Sequence, residues 1–443
     1  MKRRLLIALA IGSAGLATAQ RVGTPTDDLS NLSVDDLFRL EVTSVGRKAQ
    51  ELAKAPAAIY VLTAEDIRRS GAASIPEALL GVPGLTVQQV AGNMWAVSAR
   101  GFARPYSDKM LVMIDGRSLY TPLFSGVLWD MTDVPLENIE RIEIIRGPGA
   151  VMWGPNAVNG VINIITKSAR DTQGALVSVE SGNEIHGSVF ARWGAAPSKR
   201  FAYQVWAKLE DENPAGSSFG WYRFDLRDPN RTPTPLADLN SQSARLGFRM
   251  EGQIAGRDEL MVQGDLFKMG SRGAMGYPAP QPYSQDVRFE HTGGMGGFLQ
   301  VRWTRAEAAG NESSLQFTYD KQAIDYPYLG GKMANLTVDF QKRLQTSDRN
   351  EVYWGGGFQH YSDSTYSSHF VAFDPPTGAY CLADAVLRDE FQLIPNRLLV
   401  SAGVRADYTT YGKFDLQPSV RFLYTPNARQ SVWLALSRAV RVP

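Results

Sequence analysis

The side chains of this chain that could do chemistry are spaced for pairing and binding, not for breaking bonds. His186, His291, His360 and His369 lie in separate segments, and the single cysteine, Cys381, has no second thiol for a disulfide or a Cys/His zinc cluster. No GxxxxGK[ST] phosphate loop occurs. Ser98 stands between Ala96 and Arg100, where a nucleophile elbow would carry glycines. The carboxylates are scattered through extended segments and loops. The expectation is therefore no enzyme, no cofactor and no metal site. Charge is nearly balanced, with 46 Lys and Arg against 45 Asp and Glu, which argues against a nucleic-acid partner.

Four blocks remain: Ala99-Arg100-Gly101-Phe102, Leu111 to Arg117 (LVMIDGR), Arg141 to Gly149 (RIEIIRGPG) and Trp153 to Lys167 (WGPNAVNGVINIITK). Arg100, Arg117 and Arg146 stand next to glycines.

The elements that must position these blocks are short strands and helices. Ile59 to Leu62 is a predicted strand. Thr63 caps a helix with Asp66 three residues on, and Gly71 ends it. Ser74 and Glu77 repeat the device around Pro76, with Gly81 closing the second helix. Met110 to Ile114 is an apolar strand followed by an Asp115-Gly116 hairpin turn. Arg141 to Ile145 runs into the Gly147-Pro148-Gly149 turn, a second tight region follows at Gly154-Pro155-Asn156, and Gly160 to Thr166 is a buried β-branched strand. Short strands alternating with short helices make a small α/β domain over residues 55–170.

From Gly174 to residue 443 the pattern changes to period two. Tyr203, Val205, Ala207 and Leu209 share one face, while Gln204, Trp206, Lys208 and Glu210 share the other. Leu246/Phe248/Met250, Leu315/Phe317/Tyr319, Leu336/Val338/Phe340 and Val400/Ala402/Val404 continue the alternation. About 13 such strands of roughly ten residues, joined by alternating short and long connections, are the mark of an antiparallel transmembrane β-barrel with a wet lumen. Short connections fall at residues 195–199, 255–258, 307–311, 346–349, 395–396 and 426–429; longer ones fall near 213–243, 271–292, 326–332 and 365–384. No stretch is apolar for long enough to form a spanning helix. Residues 1–19 read as a signal peptide, with Lys2-Arg3-Arg4, an apolar run and Ala17-Thr18-Ala19. Residues 20–54 read as a flexible segment, apart from a short helix at Ser33 to Leu40 capped by Ser33 with Asp36.

Together the four blocks resemble the plug domain of TonB-dependent outer-membrane receptors, of the siderophore and cobalamin type. The resemblance spans about residues 33 to 170 and implies a plugged barrel in the outer membrane of a Gram-negative bacterium, in contact with its lipid. It implies a periplasmic partner, TonB with its inner-membrane motor, that pairs by strand addition with a TonB box at Glu41-Val42-Thr43-Ser44-Val45. It implies that Arg100 and Arg146 latch the plug to barrel glutamates. Ligand would sit on outward plug loops, at Asn93, Met94, Trp95, Arg104, Tyr106, Tyr120, Phe124 and Trp129, where aromatics suit a ring-rich chelate or corrin. Tyr222, Tyr277, Tyr283 and Tyr366 are similar candidates in the long connections. The implied function is energised import, with a ferric siderophore first and cobalamin second as ligand. A plugged receptor that senses ligand with little transport is the rival.

Thirteen strands do not close such a barrel. The family uses about 22 strands around its plug, and a plug of this size does not fit within a closed ring of about 13. The expectation is an incomplete barrel, lacking about nine strands, from a protein of about 630 residues.

Overall fold

Two sheets of opposite character meet in this chain, one buried on both faces and one buried on a single face. The computed structural model describes residues 41–442, apart from 45, 49, 92–93, 102–108, 133, 183–184, 213–221, 224–233, 236–240, 280–283, 327–328, 369–370 and 428–429. The predicted leader, the helix at Ser33 to Leu40 and Tyr283 lie outside the described residues.

The inner domain is built on a five-stranded sheet in the order β3 (Ala58–Thr63), β10 (Ile139–Arg146), β11 (Gly160–Thr166), β6 (Met110–Ile114) and β7 (Arg117–Ser118). β10 pairs antiparallel with both β3 and β11, while β11 and β6 run parallel. All five residues of β6 are buried. Ile142, Ile144, Ile162 and Ile164 are fully enclosed, each contributing roughly 1.5–3 kcal/mol by leaving water. Helix α1 (Ala64–Ser70) starts as expected. Thr63 Oγ1 accepts from the Asp66 amide, and Asp66 accepts from the Thr63 amide at 2.9 Å. It ends on Gly71 at φ +69°. Helix α2 (Ile75–Ala78) is capped by Ser74 but ends at Leu79, two residues before Gly81. The sequence reading missed the hairpin of β4 (Leu85–Ala91) and β5 (Met94–Ala99), and α3 (Ala150–Trp153). A two-residue ladder joins β8 (Tyr120–Thr121) to β9 (Gly126–Val127).

Residues 41–54 are not the free segment expected. β1 (Glu41–Val42) pairs antiparallel with β2 (Gln50–Glu51), and Val42 is fully buried among Leu111, Met113, Ile145 and Val161.

The large sheet has 13 strands in chain order, each antiparallel to the next. They are β12 (Gly174–Glu180), β13 (Ile185–Ser198), β14 (Phe201–Glu212), β17 (Ser241–Ala255), β18 (Asp258–Ala279), β19 (Ser284–Ala306) and β20 (Glu312–Tyr326). β21 (Leu329–Ser347), β22 (Asn350–Tyr366), β23 (Thr377–Ile394), β24 (Leu398–Thr409), β25 (Lys413–Asn427) and β26 (Gln430–Ser437) complete it. β15 (Tyr222–Arg223) and β16 (Thr234–Pro235) form a separate small ladder between β14 and β17. The expected strand count and the short turns hold. The long connections are shorter than expected, because the ladder continues into them: Met275 pairs with Arg288, and Ala279 with Ser284.

Alternation is realised as read. Leu209 (53 % exposed), Leu246 (59 %) and Leu266 (67 %) face outward, as do Phe317, Trp354 and Leu387. Gln204, Lys208, Gln300, Gln316 and Gln417 are buried on the inner face against the small domain. A wall that is apolar outside and polar inside is a membrane barrel wall. Among the described residues β12 and β26 pair only with β13 and β25 respectively, so the sheet is open and wraps the inner domain instead of closing around it.

Candidate functional site

The polar residues gather at the seam between the inner domain and the sheet, above all around residues 43–48. Glu143 lies in the middle of β10 between Ile142 and Ile144 and is fully buried. Its carboxylate accepts from the Thr43 amide at 2.9 Å and the Ser44 amide at 2.7 Å. It also accepts from Thr43 Oγ1 at 3.2 Å and from Arg141 Nε at 2.8 Å. A buried carboxylate demands such partners, and the strip supplies most of them. Asn163 Nδ2 donates to Ser44 Oγ at 3.0 Å, and Trp153 Nε1 donates to the Ser44 carbonyl at 2.5 Å.

The next residues cross to the sheet. Arg47 stacks 4.6 Å from the Trp153 ring centroid and pairs with Asp339 on β21 at 2.9 Å. Burial acts to depress its guanidinium, but Asp339, Tyr353 and Asp384 outweigh burial and hold it above the ordinary arginine range. Lys48 Nζ pairs with Glu351 on β22 at 2.7 Å and Glu390 on β23 at 2.5 Å. Glu351 and Glu390 lie beside the short turns, so Lys48 is held at that end of the sheet.

Higher on the seam, the Asp115-Gly116 turn is a plug tip in a polar socket. Both residues sit at positive φ, +48° and +78°, as this hairpin turn requires. The Asp115 carboxylate accepts from the Thr166 amide at 3.0 Å and from Gln263 Nε2 at 3.0 Å. Its carbonyl accepts from Gln300 Nε2 at 2.9 Å and from Arg302. Arg117 pairs with Asp320 at 2.7 Å and stacks on Phe298. A cavity of about 400 Å³ runs along this face, lined by Thr43, Arg47, Arg302, Asp339, Asp384 and Arg405; its polar lining suits water.

The expected latch residues are elsewhere. Arg100 is exposed and, among the described residues, reaches the Arg146 carbonyl at 3.5 Å. Arg146 donates to the Pro83 carbonyl at 2.9 Å and packs on Gly84 (φ +79°), where a Cβ would stand 2.8 Å from its guanidinium. Among the described residues neither pairs with a carboxylate, so both close a plug turn. The plug-to-wall pairs are instead Arg47–Asp339, Lys48–Glu351/Glu390, Arg117–Asp320 and Asp115–Arg249. Of the strand-prone stretch at 41–45, only Glu41–Val42 forms a strand; Thr43 and Ser44 turn toward Glu143, and Val45 lies outside the described residues.

The ligand candidates divide similarly. Trp95 and Trp129 belong to the main core with Ile142, Ile144 and Ile162. Both are buried and line one side of a cavity of about 1290 Å³ between α1–α2 and β12–β14. Tyr120 is buried and donates to the Val442 carbonyl at 3.0 Å. Phe124 packs between inner domain and wall, beside Leu128, Met131 and Phe267. These four are packing residues, because a large ring near an apolar sheet gains most by burial. Met94 is on β5; Asn93, Arg104 and Tyr106 lie outside the described residues. Tyr222 lies in β15 and Tyr277 in β18. Tyr366, at the end of β22, is 49 % exposed.

Sequence reading missed Glu143, Arg47, Lys48, Asp339 and the Asp115 socket. Glu143 carried a usable signal: a single carboxylate inside an Ile-rich strand has to be satisfied by something.

Known proteins agree with this architecture. Residues 51–161 match the family described as TonB-dependent Receptor Plug Domain. The vitamin B12 transporter BtuB of Vibrio cholerae is 33% identical over 340 residues, 73% of this chain and 51% of that protein. The ferrienterobactin receptor of Escherichia coli is 28% identical over 273 residues, 58% of this chain and 33% of that protein. The solved siderophore receptor PirA from Acinetobacter baumannii shares the fold at TM-score 0.67 and 16% identity, over 89% of this chain and 62% of its own. The chain spans about half, or less, of the length of the curated relatives it matches. A plug domain seated against an antiparallel, outward-apolar sheet, with these relatives, places the chain among the TonB-dependent receptors of the Gram-negative outer membrane.

Proposed function

We propose that this chain serves energised import: a scarce metal chelate is captured outside, and TonB pulls the strip at Glu41 to Val45 from the periplasm to open the plug. The observation that carries the reading is the double clamp on the strip. Thr43 and Ser44 tie it to the plug through Glu143, and Arg47 and Lys48, just beyond it, tie the chain to the wall through Asp339, Glu351 and Glu390. TonB would take β1 by strand addition in place of β2. Loss of β1 would withdraw Thr43 and Ser44 from Glu143 and leave a buried carboxylate short of donors, a state the plug relieves by rearranging.

The ligand we favour is a ferric siderophore, held by Asn93, Met94, Arg104 and Tyr106, with Trp95, Tyr120, Phe124 and Trp129 serving as packing residues. Cobalamin is the second reading, favoured by the match to the vitamin B12 transporter, which extends well past the plug into the sheet. A receptor that only senses ligand would need no such clamp at the pulling end.

The test is uptake by whole cells lacking their own transporters, with labelled ferric siderophores and labelled cobalamin supplied separately. Deleting Glu41 to Val45 is expected to abolish uptake and leave surface binding intact. Uptake unchanged by the deletion would remove the TonB-box assignment. Expression repressed by iron fits the siderophore reading, and expression repressed by cobalamin reverses the order.

A further inference from the structure

The short turns of the large sheet carry a repeated device that the transport reading does not use. Arg200, Arg257, Arg349 and Arg397 each sit on such a turn, with Lys199 beside the first, and all five are exposed. The backbone carbonyl of each arginine accepts from an amide at the foot of the neighbouring hairpin. Arg200 takes the Gln253 amide at 2.8 Å, Arg257 the Ala306 amide at 3.1 Å, Arg349 the Gln392 amide at 2.8 Å and Arg397 the Thr425 amide at 2.8 Å. Four arginines are thus fixed at equivalent places along the rim. Each hairpin adds two strand spacings, so Arg200 and Arg257 stand about 10 Å apart, as do Arg349 and Arg397, while the intervening β19–β20 turn leaves about 20 Å between Arg257 and Arg349.

Among the described residues none of the five takes part in an ion pair, although Arg305, Lys342 and Arg343 nearby are all neutralised by Asp258, Glu307 and Glu312. Two acids adjoin the row in sequence, Asp348 beside Arg349 and Asp258 beside Arg257, the latter paired with Arg305. The cations also stand at a defined depth. Phe201 adjoins Arg200, Ile254 lies three residues before Arg257, and Ile394 three before Arg397; all three apolar side chains face outward. The charges therefore begin where the apolar band ends, at the level of lipid headgroups.

We propose that this rim binds the phosphates of anionic phospholipids in the periplasmic leaflet of the outer membrane. The inference rests on the assignment of the short-turn end to the periplasm. Guanidinium forks suit phosphate oxygens, and cations next to an anionic surface gain attraction that adds along a row. An acidic protein face would not require the charges to track the edge of the apolar band.

The full chain should be exchanged into nanodiscs of phosphatidylcholine with or without phosphatidylglycerol, and the lipid kept on extraction counted by native mass spectrometry. Preferential retention of phosphatidylglycerol is expected. It should fall about fivefold per charge removed across Arg200→Gln, Arg257→Gln, Arg349→Gln and Arg397→Gln, and be largely kept in the four Arg→Lys changes. Circular dichroism checks the sheet in each variant; if the quadruple variant does not fold, Arg257→Gln and Arg397→Gln give the reading singly. Equal retention of both lipids by the unaltered chain, or retention of phosphatidylglycerol that survives the Gln changes, would overturn the proposal. So would a preference for soluble acidic polypeptide over vesicles. Uptake that fails while lipid retention persists would count against the transport reading alone.

Discussion

The strip at residues 41–48 and the five-stranded sheet beneath it belong to the same plug but are held by different physics. The sheet is fastened by Ile142, Ile144, Ile162, Ile164 and their neighbours, whose contacts are non-directional and fail only when the core opens. Val42 is the strip's one described apolar anchor, and the rest is directed polar contact to Glu143, Asn163, Trp153 and three wall carboxylates. Directed contacts can be broken one after another while the sheet stays folded. One domain thereby contains a part that can leave and a part that stays.

The sharpest way to break this contrast is Glu143→Ala, which strips acceptors from the Thr43 and Ser44 amides and leaves Arg141 without that partner. Removing one member of a buried charged network costs about 3–5 kcal/mol. A spin label at position 41 should become mobile while the plug stays protease-resistant; an immobile label would refute the clamp. Ile144→Ala should cost about 2–5 kcal/mol by cavity formation. Its effect should appear as a lower plug unfolding temperature, with strip and sheet released together. Release of the strip alone in that variant would erase the distinction.

A double-mutant cycle of Arg47→Met with Asp339→Asn sharpens the wall side of the clamp. A coupling of about 0.5–3 kcal/mol is expected for residues in contact, and zero coupling in strip-release measurements would show that Lys48 alone holds the wall. The smallest effects belong to the residues that motif reading favoured. Arg146→Ala should cost about 1 kcal/mol, one hydrogen bond to Pro83. Arg100→Ala should fall within about 0.5 kcal/mol. Strip release by either substitution would restore them as latches.

Much of the fold was legible because period decides it. Alternation at Val205/Leu209 against Gln204/Lys208 marked the two faces of β14, and the Thr63/Asp66 capping pair marked α1. The length of β18 and β19 was not legible, since a Gly-rich polar stretch reads as loop whether or not its backbone groups find a ladder. The site was less legible than the fold. Arg100 and Arg146 sit in recognisable motifs, yet their partners are backbone carbonyls that no motif encodes. Arg47 and Asp339 are 292 positions apart, and the fold alone brings them together. Trp95, Tyr120 and Trp129 could not be separated from surface aromatics by type, because the same ring serves packing and binding.

The pairing of β1 with β2 has a mechanical consequence. Glu41 faces Glu51 and Val42 faces Gln50, so residue 41 is at the open end of a two-residue antiparallel ladder. Tension applied there peels the ladder instead of shearing it, and the bonds load one at a time. The peak force is then set by the strongest single contact, at Glu143, and not by the sum of all contacts. Single-molecule extension from the N-terminus should give a low early peak for the strip, followed by a separate, higher peak for the sheet; one merged peak would contradict this order. A motor acting across the periplasm would need only brief, modest pulls to undock the strip.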